Sequence, residues 1–287
     1  HSPHYSMPLR PNKPAVVTMH DLTFFTDPDA HSPVIATFYK AAIRTSSRRA
    51  TRLIVPSKAT RDELVRVLAA DPTRIDVAYH GVDHNLFHRP TPAQLRQVSD
   101  RLGLHGKSYV AYLGTLEPRK NVPALINGWA AVAADLADPP ALVLAGASGW
   151  SEEVDEAVAA VPARLHLVRP GYLHFNDLPG FFGGALVVAF PSTGEGFGLP
   201  ALEAMACGAA VLTTHRTALP EVGGDAVAYT EPDPDSIRAA LRSLLSDPDR
   251  RTALGAAGYS RAGEFTWAAS AEAHMISYER AVSQGTG

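Results

Sequence analysis

Two rhythms of apolar and polar positions run along the 287-residue chain. Short, nearly unbroken apolar runs recur at 15–19, 52–55, 75–79, 109–113, 142–145, 165–168, 186–190, 210–213 and 227–229. Between them lie longer stretches with apolar residues three or four apart, at 33–49, 58–69, 122–134, 177–182, 199–207 and 235–245. Brief runs apolar on both faces, alternating with amphipathic helices, predict parallel sheets covered on both sides, an α/β fold. After 229 the pattern is helical to the end, including 266–282. The segment 84–106 breaks the rhythm with His88-Arg89-Pro90-Thr91-Pro92 and polar helical material, and reads as an interdomain linker. Residues 1–83 then carry three strands, half of a doubly wound sheet, while 107–264 carry six, a full one. The first domain is therefore expected to be truncated at its N-terminus, or completed by another chain or a missing N-terminal segment. Residues 265–287 form a C-terminal helix that could cross back to it.

Composition narrows the class. With 46% hydrophobic residues the chain can build two cores. Its 26 Lys+Arg against 29 Asp+Glu give a net charge of −3, which argues against nucleic acid as a partner. The single cysteine, Cys207, forms no internal disulfide. No apolar run approaches the roughly 18 residues of a membrane span, and His1-Ser2-Pro3-His4 has no signal-peptide pattern. A cytoplasmic α/β protein is expected.

Three strand ends carry candidate chemistry. After the run ending at Phe190 comes a glycine-rich turn with Gly194, Gly196 and Gly198, then a helix from about Leu199 with Pro200 in its first turn. Glycines let the backbone approach a ligand, and a helix start suits phosphates and polyhydroxylated groups. Glu195 and Glu203 offer carboxylates to vicinal hydroxyls, as a sugar requires. The run 109–113 ends in Gly114-Thr115-Leu116-Glu117-Pro118-Arg119-Lys120-Asn121, where the basic pair could clamp a diphosphate. His20-Asp21 follows the first run, at the end of a strand where ligands collect.

Other patterns read as structural. Of three Asp-Pro-Asp triplets, at Asp27, Asp233 and Asp247, the last two sit before helical stretches and read as caps, not metal ligands. His80, His84 and His88 have helical spacing, but Gly81 and Pro90 place them in loop and linker, so no metal site is assigned. The row Lys40, Arg44, Arg48 occupies one helix face and reads as solvated.

The chain resembles family 4 of the nucleotide-sugar-dependent glycosyltransferases over nearly its whole length. The resemblance rests on Glu195…Glu203 within Gly-Phe-Gly-Leu-Pro-x-Leu-Glu-Ala-Met-Ala-x-Gly, on Gly114-x-x-x-x-Arg119-Lys120-Asn121, and on Met19-His20-Asp21. Val55-Pro56-Ser57, Gly81-Val82-Asp83, Pro220-Glu221-Val222 and Phe265-Thr266-Trp267 are weaker matches. His80 stands where the family often has Asn, and no strand with a glycine-rich loop precedes His20-Asp21.

The resemblance implies the GT-B fold, two Rossmann-like doubly wound domains facing a cleft. It implies a retaining hexosyltransferase, mannosyl transfer included, that moves a sugar from a nucleoside-diphosphate donor to an acceptor hydroxyl. His20, Glu195, Arg119 and Lys120 would be catalytic. Gly114, Arg119, Lys120, Tyr172, Leu173, Glu195, Gly196, Phe197, Gly198, Leu199 and Glu203 would hold the donor, with Tyr172-Leu173 near the base and Glu203 on the ribose. The cationic pair implies that no metal and no cofactor beyond the donor substrate are needed. The acceptor would be a saccharide, a lipid-linked sugar or a small molecule, which allows peripheral contact with the inner membrane face. Two other readings remain: a donor-binding but inactive fragment or pseudo-enzyme module, and a nucleotide-sugar epimerase of related fold.

Overall fold

Each apolar run carries a strand in the computed structural model, which describes residues 1–9, 11–28, 32–149 and 151–284. Asp29 of the first Asp-Pro-Asp triplet and residues 285–287 lie outside the described residues. The strands are β1 (Val16–Thr18), β2 (Arg52–Val55), β3 (Ile75–Val77), β4 (Tyr109–Leu113), β5 (Ala141–Ala145), β6 (Leu167–Gly171), β7 (Val187–Phe190), β8 (Val211–Thr214) and β9 (Ala228–Thr230). The helices are α1 (Thr23–Thr26), α2 (Pro33–Arg49), α3 (Lys58–Leu68), α4 (Pro92–Arg101), α5 (Val122–Ala133), α6 (Glu152–Ala159), α7 (Leu178–Gly183), α8 (Leu199–Ala206), α9 (Leu219–Gly223), α10 (Pro234–Ser246), α11 (Pro248–Ala262) and α12 (Trp267–Gln284). The chain divides into two compact units. One comprises His1–Gly81, Gly194–Phe197 and Phe265–Gly287; the other comprises Val82–Thr193 and Gly198–Glu264.

The first unit holds a parallel sheet of order β1-β2-β3, with Val17 beside Leu53 and Leu53 beside Ile75. Serine caps open α2 and α3: Ser32 accepts the Ile35 N–H, and Ser57 accepts the Thr60 N–H at 3.0 Å. One face of the sheet packs Val17, Leu53 and Val55 against Ile43 of α2 and Leu64 of α3. On the other face, Val16, Ile54 and Ala78 cluster with Ala281 of α12. A charged knot fixes that helix. Buried Arg52 donates to Asp76 through Nε (2.8 Å) and Nη2 (2.5 Å), and Arg280 of α12 adds a third bond at 2.6 Å. Removing Asp76 would leave the buried Arg52 charge without its carboxylate, typically at about 3–5 kcal/mol.

The second unit is a six-stranded parallel sheet of order β6-β5-β4-β7-β8-β9. The order reverses between β4 and β7, and in such sheets ligands bind beyond the carboxyl ends at that switch. The segment 84–106 is not a free linker but belongs to this unit. It contains α4, opened by a Thr91–Gln94 capping box, and its Gln97 amide donates to Asp177 at 3.1 Å. Asp233 and Asp247 cap α10 and α11, each accepting a backbone N–H at 2.9 Å.

Candidate active site

In the second unit, the carboxyl ends of adjacent strands converge on one cavity. The Gly114 N–H donates to Ala145 O at 3.0 Å, and the Gly146 N–H to Gly171 O at 2.8 Å, so the turns after β4, β5 and β6 are laced side by side. Gly146 adopts φ +125, and a Cβ there would run into the Gly114 backbone, so only glycine permits this approach. The resulting cavity, about 240 Å³, is lined by Leu113–Thr115 after β4, Gly146 and Ala147 after β5, and Tyr172, Leu173 and Phe175 after β6. Pro200 and Glu203 of α8 and Leu178 of α7 complete it. Gly198, at φ +100, turns the chain into α8, which sets Glu203 one turn into that helix. Burial pushes the Glu203 carboxyl up to about 7.

Arg119 and Lys120 sit further along the same β4–α5 turn and do not line this cavity. The Arg119 carbonyl accepts the Thr193 N–H at 2.9 Å, which ties the turn after β4 to the one after β7. Arg119 Nε pairs with Glu117 at 2.8 Å. Lys120 is buried, its ammonium 5.1 Å from the Phe190 ring centre. Asn121 takes φ +57 and donates to Pro191 O (3.3 Å) and Pro232 O (2.7 Å). The pair is thus held rigidly, not waving in solvent.

The remaining residues group with the first unit: His20, Glu195, Gly196 and Phe197. Gly196 lies so close to the His20 carbonyl that no side chain would fit, and Thr60 Oγ1 donates to Gly196 O at 3.3 Å. His20 Nε2 is 2.8 Å from Pro3 O. A carbonyl only accepts, so Nε2 carries a proton and donates it there. Phe197 is buried beside Tyr79, His80 and Phe265.

Sequence reasoning weighed His80 as a metal ligand and as a departure from the family, and gave it no role in the site. Its ring centre is 5.1 Å from Phe197, 5.9 Å from Trp267 and 6.2 Å from His20. Burial first, then the charges of His20 and His274, press its pKa down to about 4. The substitution of His for the family's Asn, directly before Gly81, was the available signal. Glu195 and Glu203, paired in the motif, fall in different units.

Known proteins share this design. The model of the glycosyl transferases group 1 family matches residues 97–261, and that of glycosyltransferase family 4 matches residues 1–86. An O-antigen chain mannosyltransferase B of Escherichia coli is 32% identical over 269 residues, covering 93% of this chain and 70% of that protein. A D-inositol 3-phosphate glycosyltransferase of Kineococcus radiotolerans is 35% identical over 81% of this chain and 58% of its own length. Among solved structures, Anabaena Alr3699/HepE in complex with UDP-glucose superposes with a TM-score of 0.76 at 20% identity, covering 93% of this chain and 71% of that one. WaaG, a glycosyltransferase involved in lipopolysaccharide biosynthesis, gives 0.72 at 18%, covering 92% and 75%. The α/β architecture is of the GT-B class, and the chain belongs to the glycosyl transferases group 1 and glycosyltransferase family 4.

Proposed function

We propose that this protein is a retaining hexosyltransferase that uses a nucleoside-diphosphate sugar. The observation that carries the reading is the cavity beyond the carboxyl ends of β4, β5 and β6, with the buried Glu203 carboxyl in its wall. A carboxylate in a largely apolar pocket suits the vicinal hydroxyls of a ribose, with the base toward Tyr172 and Leu173. Arg119 and Lys120 neutralise the departing diphosphate, a role open to pre-placed cations without a divalent ion. Glu195 and the N–H groups of Gly196–Leu199 hold the donor sugar, and His20 meets the sugar or the acceptor. Transfer breaks the bond from the anomeric carbon to the phosphate oxygen and makes one to the acceptor oxygen, whose proton departs. Mannosyl is the first sugar to test, because the E. coli relative is named a mannosyltransferase. The acceptor is a saccharide, a lipid-linked sugar or a small molecule, and the protein works in the cytoplasm at the inner membrane face.

Incubation with labelled nucleotide-sugars and candidate acceptors tests this. A glycoside whose anomeric configuration matches the donor supports transfer with retention; an inverted product removes the retaining assignment. An epimerised nucleotide-sugar, or binding without turnover, would replace the proposal with an epimerase or a binding module. Replacing Arg119 or Lys120 by Ala should weaken diphosphate binding and slow transfer roughly 10- to 100-fold, the worth of a charged hydrogen bond. Wild-type affinity in both variants would place the diphosphate elsewhere.

A further inference from the structure

The loop after β6 bears on which nucleotide the donor carries. A second cavity of about 350 Å³ is lined by Arg101, Tyr172, Leu173, His174, Phe175 and Asp177. Tyr172, Leu173 and Phe175 also line the Glu203 cavity, so the two adjoin across these three residues. Tyr172 is 78% exposed and Phe175 58%, an open aromatic platform of the kind on which nucleobases stack whatever their identity. Stacking alone selects no base; the polar groups beyond the platform must do so.

Of the three polar residues there, Asp177 is committed and His174 has one ring nitrogen engaged. Asp177 is almost completely buried, and its carboxylate oxygens accept from Gln97 Nε2 (3.1 Å) and from Arg101 Nη1. His174 turns its Nδ1 to the Asn176 N–H. Arg101 closes α4 with its side chain half exposed, and a guanidinium has five N–H donors, more than the ion pair with Asp177 consumes. A planar fork of donors matches the adjacent O6 and N7 acceptors of guanine. Adenine sets an N6 amine, itself a donor, at the O6 position. A pyrimidine, one ring shorter, has no N7 to offer.

We infer that the base end of the site selects a 6-oxopurine nucleoside diphosphate, and that Arg101 reads its O6 and N7. This rests on the donor-site reading above. With Asp177 buried and turned to Gln97 and Arg101, the 2-amino group of guanine goes unread, so inosine and guanosine nucleotides should be accepted alike.

Calorimetric titration of the full chain with GDP, IDP, ADP and UDP at one salt concentration decides the matter. GDP and IDP should bind with similar Kd, each about 10-fold tighter than ADP or UDP, the discrimination typical of a bidentate contact. Arg101→Lys keeps a cation beside Asp177 but loses the fork. It should weaken GDP and IDP toward the UDP value and leave UDP unchanged, with its Tm recorded to establish that it is folded. Tyr172→Ala should weaken all four nucleotides together. If UDP or ADP binds as tightly as GDP, or IDP binds far more weakly than GDP, the inference is overturned while the donor site stands. A folded Arg101→Lys with an unchanged GDP-to-UDP ratio overturns it too. Should no nucleotide bind, the donor-site reading itself falls. The wild-type panel gives its answer even if the lysine variant unfolds.

Discussion

Burial shifts Glu203 and His80 in opposite directions, and each shift has a measurable pH consequence. Glu203 is raised from 4.5 to about 7, so the fold favours its neutral form. Its stabilising contribution is full below pH 4.5 and is lost as the pH rises through 7. Glu203→Gln should therefore gain thermal stability relative to wild type at pH 8 and lose that advantage at pH 5. Ribose hydroxyls donate to the ionised form, so donor binding should expel a proton below pH 7, with affinity falling by up to about tenfold per pH unit. Calorimetry at pH 6 in two buffers of different ionisation enthalpy would detect that proton; none released would remove Glu203 from the ribose. His80 is lowered from 6.5 to about 4, so the unfolded chain takes up its proton first as the solution is acidified. Its contribution is present above pH 6.5 and disappears as the pH falls through 4, with His20 and His274 as the charged neighbours. His80→Asn should flatten the loss of Tm between pH 7 and 5. An unaltered slope would mean that the buried ring is not what makes the protein acid-sensitive.

At the scale of elements, local chemistry was legible wherever the signal is local. Asp233 and Asp247 each precede a proline and cap a helix, as their spacing implies. Asp233→Ala and Asp247→Ala should each lower the denaturation free energy by about 1 kcal/mol, read from the denaturant midpoint. Neither should alter transfer, nor make it respond to EDTA or Mn²⁺; a change in that response would reopen a metal role for the triplets. The strands were legible because two-sided burial leaves unbroken apolar runs. β6 is displaced, at Leu167–Gly171 instead of 165–168, because an edge strand tolerates Pro170, and its pairing with β5 shifts register between Val143 and Ala145. Helix α6 escaped notice because it buries only Val154 and Ala157, too thin a stripe to read. Helix α4 was legible as polar helical material, but its grouping with the second unit was not, because its only buried residue is Val98. The motif glutamates were legible as residues, but not as members of different units, since grouping 194–197 with His20 and Thr60 depends on contacts across more than a hundred positions.

For the whole molecule, a net charge of −3 offers no general attraction to an anionic surface, so any membrane contact has to come from a local patch. No helix among the described residues is long and apolar enough to cross a bilayer. Helix α2 is the patch on which the proposed membrane contact would rest. The sequence shows only its basic row, Lys40, Arg44 and Arg48, which by itself reads as solvated. The fold adds Val34, Ile35 and Phe38, which it leaves 80%, 50% and 62% exposed on the N-terminal half of the same helix. Apolar side chains followed by cations match the order of acyl boundary and phosphate headgroup at a bilayer surface. Each basic residue near an anionic leaflet contributes about 1 kcal/mol, so three should favour anionic over neutral vesicles by roughly 100-fold. Sedimentation of the full chain with phosphatidylcholine vesicles, with and without about one-third phosphatidylglycerol, reads that ratio directly. Because the Debye length shrinks to about 3 Å at 1 M salt, the preference should vanish there. Phe38→Ser should weaken binding to both vesicle types, while Arg44→Gln with Arg48→Gln should cancel only the anionic preference. Failure to bind either vesicle, or equal binding to both, would return α2 to the status of a solvated face and move the search for the acceptor to water-soluble sugars.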